Sequence, residues 1–207
     1  CASVLFCSYV LKNVRGLYHV DYARELFRGM REGSEPLIFK DRGYIYGPIR
    51  LSTQLDDLVG RTLTQTVIDP RFLSDKTSVC FIRDPRDILV SAYYSFGFTH
   101  CISDVPEIGE HQQSIRGTIQ KLSLDEYVLR YADEQNEYFN RMHEASSACR
   151  YSAVLRYEEM INDFDSFIGK LTRHVTLQRG VAQKMYEDSR PRSAEDTGSH
   201  RRSGQVQ

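Results

Sequence analysis

The sequence predicts an α/β fold, a three-layer sandwich with helices on both faces of a central parallel sheet. Three observations predict it. Short apolar runs at residues 37–39, 79–82 and 151–157 have the length and composition of buried strands. Segments with apolar residues at three- and four-residue spacing lie between those runs, as amphipathic helices require. At residues 81–96 a strand-like run passes through a tight turn straight into a helical pattern, and strands that alternate with helices pair in parallel through right-handed crossovers.

Taken in order, Leu5, Phe6, Tyr9 and Val10 have helical spacing, so the chain opens in or just before a helix. Residues 21–30 form a second helical stretch, broken by Gly33-Ser-Glu-Pro36. Leu37-Ile38-Phe39 reads as a strand emptying into a turn-rich loop, residues 40–48, that carries Tyr44 and Tyr46. A helical region at 53–67 leads past Pro70 to the central strand at Ser78. Residues 97–121 show little periodicity, with Pro106, Gly109 and Gly117 scattered through them, and are expected to form a long loop. Ser123-Leu-Asp-Glu126 is a capping-box pattern, predicting the start of the longest amphipathic helix. Residues 151–157 form the third clear strand, and Phe164, Phe167, Ile168 and Leu171 mark the helix after it. From Ser189 onward the chain is polar and weakly basic without apolar periodicity, the pattern of a disordered tail.

The stretch richest in chemistry is 81–96. Asp84 suits a helix cap, Pro85 the first helical position, and Asp87 stands three residues after the cap. Arg83 falls at the carboxyl end of the strand, where open parallel sheets bind ligands. Ser91 follows Asp84 by seven residues, about two helical turns, and so shares its face. A guanidinium, the N–H groups of a helix start and a hydroxyl on one face make an anion site, most naturally for a phosphate. The same residues also allow a capped helix whose arginine pairs only with Asp84 or Asp87.

Composition narrows the class. The 207 residues suffice for a single domain with a substantial core. With 27 basic and 28 acidic residues the chain has no global field to attract nucleic acid, so any anion binding is local. No segment has the apolar length of a membrane span. The five cysteines, at 1, 7, 80, 101 and 149, are odd in number and lack zinc-ligand spacing, which favours reduced thiols, no metal and a cytoplasmic setting.

Three separated segments together resemble the sulfotransferases that use 3′-phosphoadenosine 5′-phosphosulfate (PAPS). Arg83-Asp-Pro-Arg-Asp87 followed by Val90-Ser-Ala-Tyr-Tyr94 is similar to that family's strand-end and helix signature. Its arginine and serine bind the cofactor's 3′-phosphate, so the resemblance implies that role for Arg83 and Ser91. Val154-Leu-Arg-Tyr-Glu-Glu159 resembles the strand whose tyrosine lies by the adenine, which implies Tyr157 there. His200-Arg-Arg-Ser-Gly204 resembles the late segment that folds over the 3′-phosphate, implying Arg202, Ser203 and Gly204, with Ser203 where the family has lysine. Residues 1–6 can be laid on the phosphosulfate loop, with Ala2, Ser3 and Val4 in its glycine and threonine positions. The first strand and the loop lysine would then precede Cys1. The resemblance thus implies a P-loop NTPase-like sulfotransferase fold, one partial domain over 1–207 truncated at both ends.

The implied reaction moves a sulfuryl group from PAPS, without a metal, to a hydroxyl or amine of a small-molecule, lipid or carbohydrate acceptor. Such transfer relies on positioning and on cations around the moving group, with a base for the acceptor's proton. Lys40 keeps a lysine of the family, while Arg42 stands where its cytosolic members have a histidine base. Asp41 is the nearest carboxylate, with His100 as a second candidate base. Tyr44, Tyr46 and the 97–121 segment are expected to border the acceptor. Two other readings stay open: a P-loop nucleoside or small-molecule kinase, and a non-catalytic nucleotide-binding relative.

Overall fold

A computed structural model of the chain describes residues 2–22, 25, 39–40, 42–49, 51, 70–102 and 106–189. Its elements, in order, are α1 (Ala2–Tyr9), β1 (Tyr18–Val20), β2 (Tyr44–Tyr46), α2 (Pro70–Leu73), β3 (Thr77–Ile82) and α3 (Pro85–Tyr94). A turn of π-helix (Ser95–Thr99) extends α3. Then come α4 (Pro106–Ile119), α5 (Leu124–Ala148), β4 (Tyr151–Arg156), α6 (Tyr157–Asn162), α7 (Phe164–Thr172) and α8 (Val181–Ser189). The protein is therefore mixed α/β, and its strand pairs are parallel. β3 runs beside β4 from Thr77–Tyr151 to Ile82–Arg156, and β1 beside β2 from Tyr18–Tyr44 to Val20–Tyr46. Among the described residues these are two separate two-stranded sheets rather than one central sheet.

The chain divides into two compact units, one drawn from residues 1–82 and 140–190, the other including 83–139. The core of the first is built where the parity of β3 and β4 turns Val79, Phe81 and Leu155 to one side. Phe6 from α1 stacks on Phe81 at 4.7 Å, and both meet Phe167 of α7 edge-on. Leu155, Phe167, Leu171 and Met185 are sealed from solvent. Cys80 is buried, and burial raises its thiol above the ordinary cysteine value; the described cysteines are all free thiols.

In the second unit Leu89, Ile119 and Tyr127 form the core, joined by Tyr93, Ile115 and Tyr131. The Tyr93 hydroxyl donates to the Leu122 carbonyl at 2.9 Å. Burial pushes the Tyr127 phenol up to about 12. The capping box forms as its sequence predicts: Ser123 N–H and Oγ both donate to Glu126 Oε2 at 2.8 Å, and Glu126 N–H donates back to Oγ at 3.3 Å.

Several expectations are corrected. Residues 106–119 are helical, not loop: Gly109 and Gly117 dilute the periodicity, but Pro106 opens the helix and Ile115 and Ile119 pack into the unit's core. Part of the 40–48 loop is strand β2, an aromatic and β-branched triplet too short to register between glycines. Phe39 lies outside any strand; Leu37, Ile38 and the helix at 53–67 fall outside the described residues, as do all but Asp21, Tyr22 and Glu25 of the 21–30 stretch. Strand β1 and helix α8 are additions to the expected elements.

Candidate functional site

Helix α3 begins as its sequence dictates. Asp84 is the cap, with Oδ1 accepting the Arg86 N–H at 2.9 Å, and Pro85 follows in the first position. The Arg86 side chain also folds back on Asp84, Nε to Oδ1 at 3.1 Å and Nη2 to Oδ2 at 2.7 Å. These hydrogen bonds hold the Asp84 carboxyl at about 2, well below the carboxylate range. The Ile88 N–H bonds to the Asp84 carbonyl at 3.0 Å. First-turn donors that the sequence left to an incoming anion are thus engaged by the helix's own cap.

Arg83 leaves the end of β3 and reaches along the helix, its Nη2 lying 3.1 Å from Asp87 Oδ2. Both side chains are substantially covered, 30% and 18% exposed. Ser91 stands four residues after Asp87, about one turn further along the same helix face, and is exposed.

Past Ser91 the same face continues through Tyr94 to Phe98, whose rings lie 6.4 Å apart. The π-turn that carries Phe98 is pinned from α4. Arg116 donates to the carbonyls of Phe96 (3.2 Å) and His100, and Gln120 to that of Gly97 (2.9 Å). Gly97 is required there, since a Cβ would stand 2.8 Å from Ile119 Cγ2. Neither the pinned turn nor its exposed Phe96 and Phe98 was legible in the sequence, because the donors lie some twenty residues away.

The other sequence-predicted residues fall elsewhere. Lys40, in the first unit, is exposed; its backbone N–H donates to Tyr46 Oη at 2.7 Å and its Nζ to Tyr44 Oη at 3.1 Å, over the Tyr44 ring. The Tyr44 hydroxyl raises the Lys40 ammonium above the ordinary lysine value. Tyr157, also in the first unit, opens α6 with its ring against the core that holds Leu155 and Phe167. Ala2, Ser3 and Val4 are helical in backbone, within α1. Asp41, Arg202, Ser203 and Gly204 lie outside the described residues. His100 is exposed in the second unit, 5.4 Å from the Phe96 ring.

No family model matches the chain, and no curated protein or solved structure matches it either. Among the described residues no helix is long and apolar enough to cross a membrane.

Proposed function

We propose that the chain is a PAPS-dependent sulfotransferase domain of P-loop NTPase-like, three-layer architecture. The observation that carries it is Arg83, directly after parallel strand β3, paired at 3.1 Å with Asp87, which stands one helical turn before Ser91 on α3. The spacing is the one the resemblance assigns to 3′-phosphate binding. PAPS, when bound, supplies the sulfuryl group for a hydroxyl or amine of a small-molecule, lipid or carbohydrate acceptor. The chain's residues do the rest: Arg83 and Ser91 take the 3′-phosphate, and Asp84 fixes the helix that carries Ser91. Lys40 contributes a cation, Tyr157 borders the adenine, and Asp41 is the proposed base. Residues 2–4 and 202–204 take the phosphosulfate and 3′-phosphate contacts of their motifs.

Calorimetric titration with 3′-phosphoadenosine 5′-phosphate, ADP and magnesium-ATP tests the assignment. The 3′-phosphate is worth one or more charge-assisted hydrogen bonds, so the bisphosphate is expected to bind about tenfold or more tighter than ADP. Equal affinities for the two would overturn the assignment, and tighter magnesium-ATP binding would favour a kinase.

A further inference from the structure

The first unit carries an open depression whose chemistry the nucleotide assignment does not use. Residues 14–18, Gly43, Gln178 and Arg179 line it. One wall is locked by a short antiparallel contact: Arg15 N–H donates to the Thr176 carbonyl at 2.7 Å and Gln178 N–H to the Asn13 carbonyl at 2.9 Å, around a Val14–Leu177 bridge. The other is held where Tyr18 N–H donates to the Gly43 carbonyl at 2.8 Å. Gly16 and Gly43 both have φ near +80° and no side chain, which leaves part of the surface as bare backbone.

Two kinds of group face outward from this frame. Tyr18 is 69% exposed and Leu17 38%, an adjacent apolar pair, with the Tyr18 ring in T-shaped contact with Tyr44. Arg15 and Arg179 are exposed and, among the described residues, form no ion pair and share the depression with no carboxylate. Unneutralised guanidiniums bind oxyanions bidentately, and a flat ring laid on tyrosine and leucine is removed from water. The complement to both features is one molecule with an oxyanion at one end and a ring at the other.

We propose that this depression binds an aryl ester of phosphate or sulfate, its oxyanion on Arg15 and Arg179 and its ring on Tyr18 and Leu17. Titration of the labelled chain with phenyl phosphate and phenyl sulfate, followed by amide NMR, tests it; inorganic phosphate and phenol supply each half of the ligand. Saturable shifts are expected at residues 15–18, 43, 178 and 179, with the ester that saturates them at the lower concentration naming the preferred oxyanion. Arg15→Ala with Arg179→Ala should weaken binding about tenfold or more, Tyr18→Ala about fivefold, and Arg15→Lys less than Arg15→Ala. Shifts confined to other surfaces, inorganic phosphate binding as tightly as phenyl phosphate, or unchanged affinity in the double variant would each overturn the proposal. Arg83→Ala is expected to leave these shifts intact, so failure of the nucleotide assignment and failure of this one are separable.

Discussion

Arg83→Ala separates an anion-binding arginine from a merely structural one, because the two roles differ in size. The structural role is an i,i+4 ion pair near the start of α3, at 3.1 Å and partly covered. Such helix pairs are worth about 0.3–0.5 kcal/mol, and the helix dipole continues to favour Asp87 in the first turn once the partner is gone. The variant should therefore lose about 1 kcal/mol of stability or less. The ligand role is larger: each hydrogen bond from a guanidinium to phosphate is worth about 1.5–3 kcal/mol, a loss of about 10- to 150-fold in affinity. Asp87→Asn works in the opposite direction. A carboxylate about 6 Å from a phosphate repels each unit of its charge by about 0.7 kcal/mol in water and about 2.8 kcal/mol at an effective dielectric constant of 20. Removing that charge also takes away the guanidinium's carboxylate partner, so binding should tighten about threefold or more. The assay is calorimetric titration of 3′-phosphoadenosine 5′-phosphate and ADP into wild type and both variants, at two salt concentrations, alongside urea melts. Arg83→Ala should weaken only the bisphosphate. Equal weakening for both nucleotides, or a stability loss of several kcal/mol with affinity unchanged, would refute a 3′-phosphate role and leave the ion pair as the arginine's purpose.

Single contacts elsewhere set the remaining expectations. Ser91→Ala should weaken the bisphosphate about tenfold and leave urea stability within about 0.5 kcal/mol, since the hydroxyl is exposed. The Asp84 carboxyl, held at about 2 in the folded chain against an unfolded value near 4, stabilises fully above about pH 4 and loses that contribution as pH falls through 2. Asp84→Asn should flatten this part of the pH dependence of urea midpoints while keeping a cap. Gly97→Ala should cost about 1–3 kcal/mol by driving a methyl into Ile119 Cγ2, and Ile119→Ala, which removes that methyl, should cost less in the Gly97→Ala background than in wild type, which a plain propensity effect would not show. Phe167→Ala, at the meeting of Phe6 and Phe81, should cost about 3–5 kcal/mol in the same melts.

Much of the local architecture was legible because it is written in neighbouring residues. The cap at Asp84 with Pro85, the Ser123–Glu126 box and strand β4 each depend on groups within a few positions, and each forms as the sequence predicts. Short-range competition was not legible. Asp84 can cap or pair, Asp87 can reach back to the cap or hold Arg83, and propensity ranks none of these above the others. In the structure Asp84 takes the Arg86 N–H and side chain, and Asp87 takes Arg83. The sequence thus set Arg83 and Ser91 on a shared face but could not say which backbone donors stay open to an anion. Long-range pairing was hidden for a different reason. β1 and β2 are three residues each and separated by more than twenty, and Arg15 joins Arg179 in one depression through a single bridge across more than 160 positions. Such contacts depend on closing loops, whose cost grows only slowly with length, so no local signal need mark them. The two candidate sites divide along this line. The α3 face rests on one helix and one turn, and substitutions within 83–91 suffice to test it. The Arg15–Tyr18–Arg179 depression exists only while the Val14–Leu177 contact holds, so Val14→Ala should weaken phenyl phosphate binding as well as stability, with neither guanidinium touched.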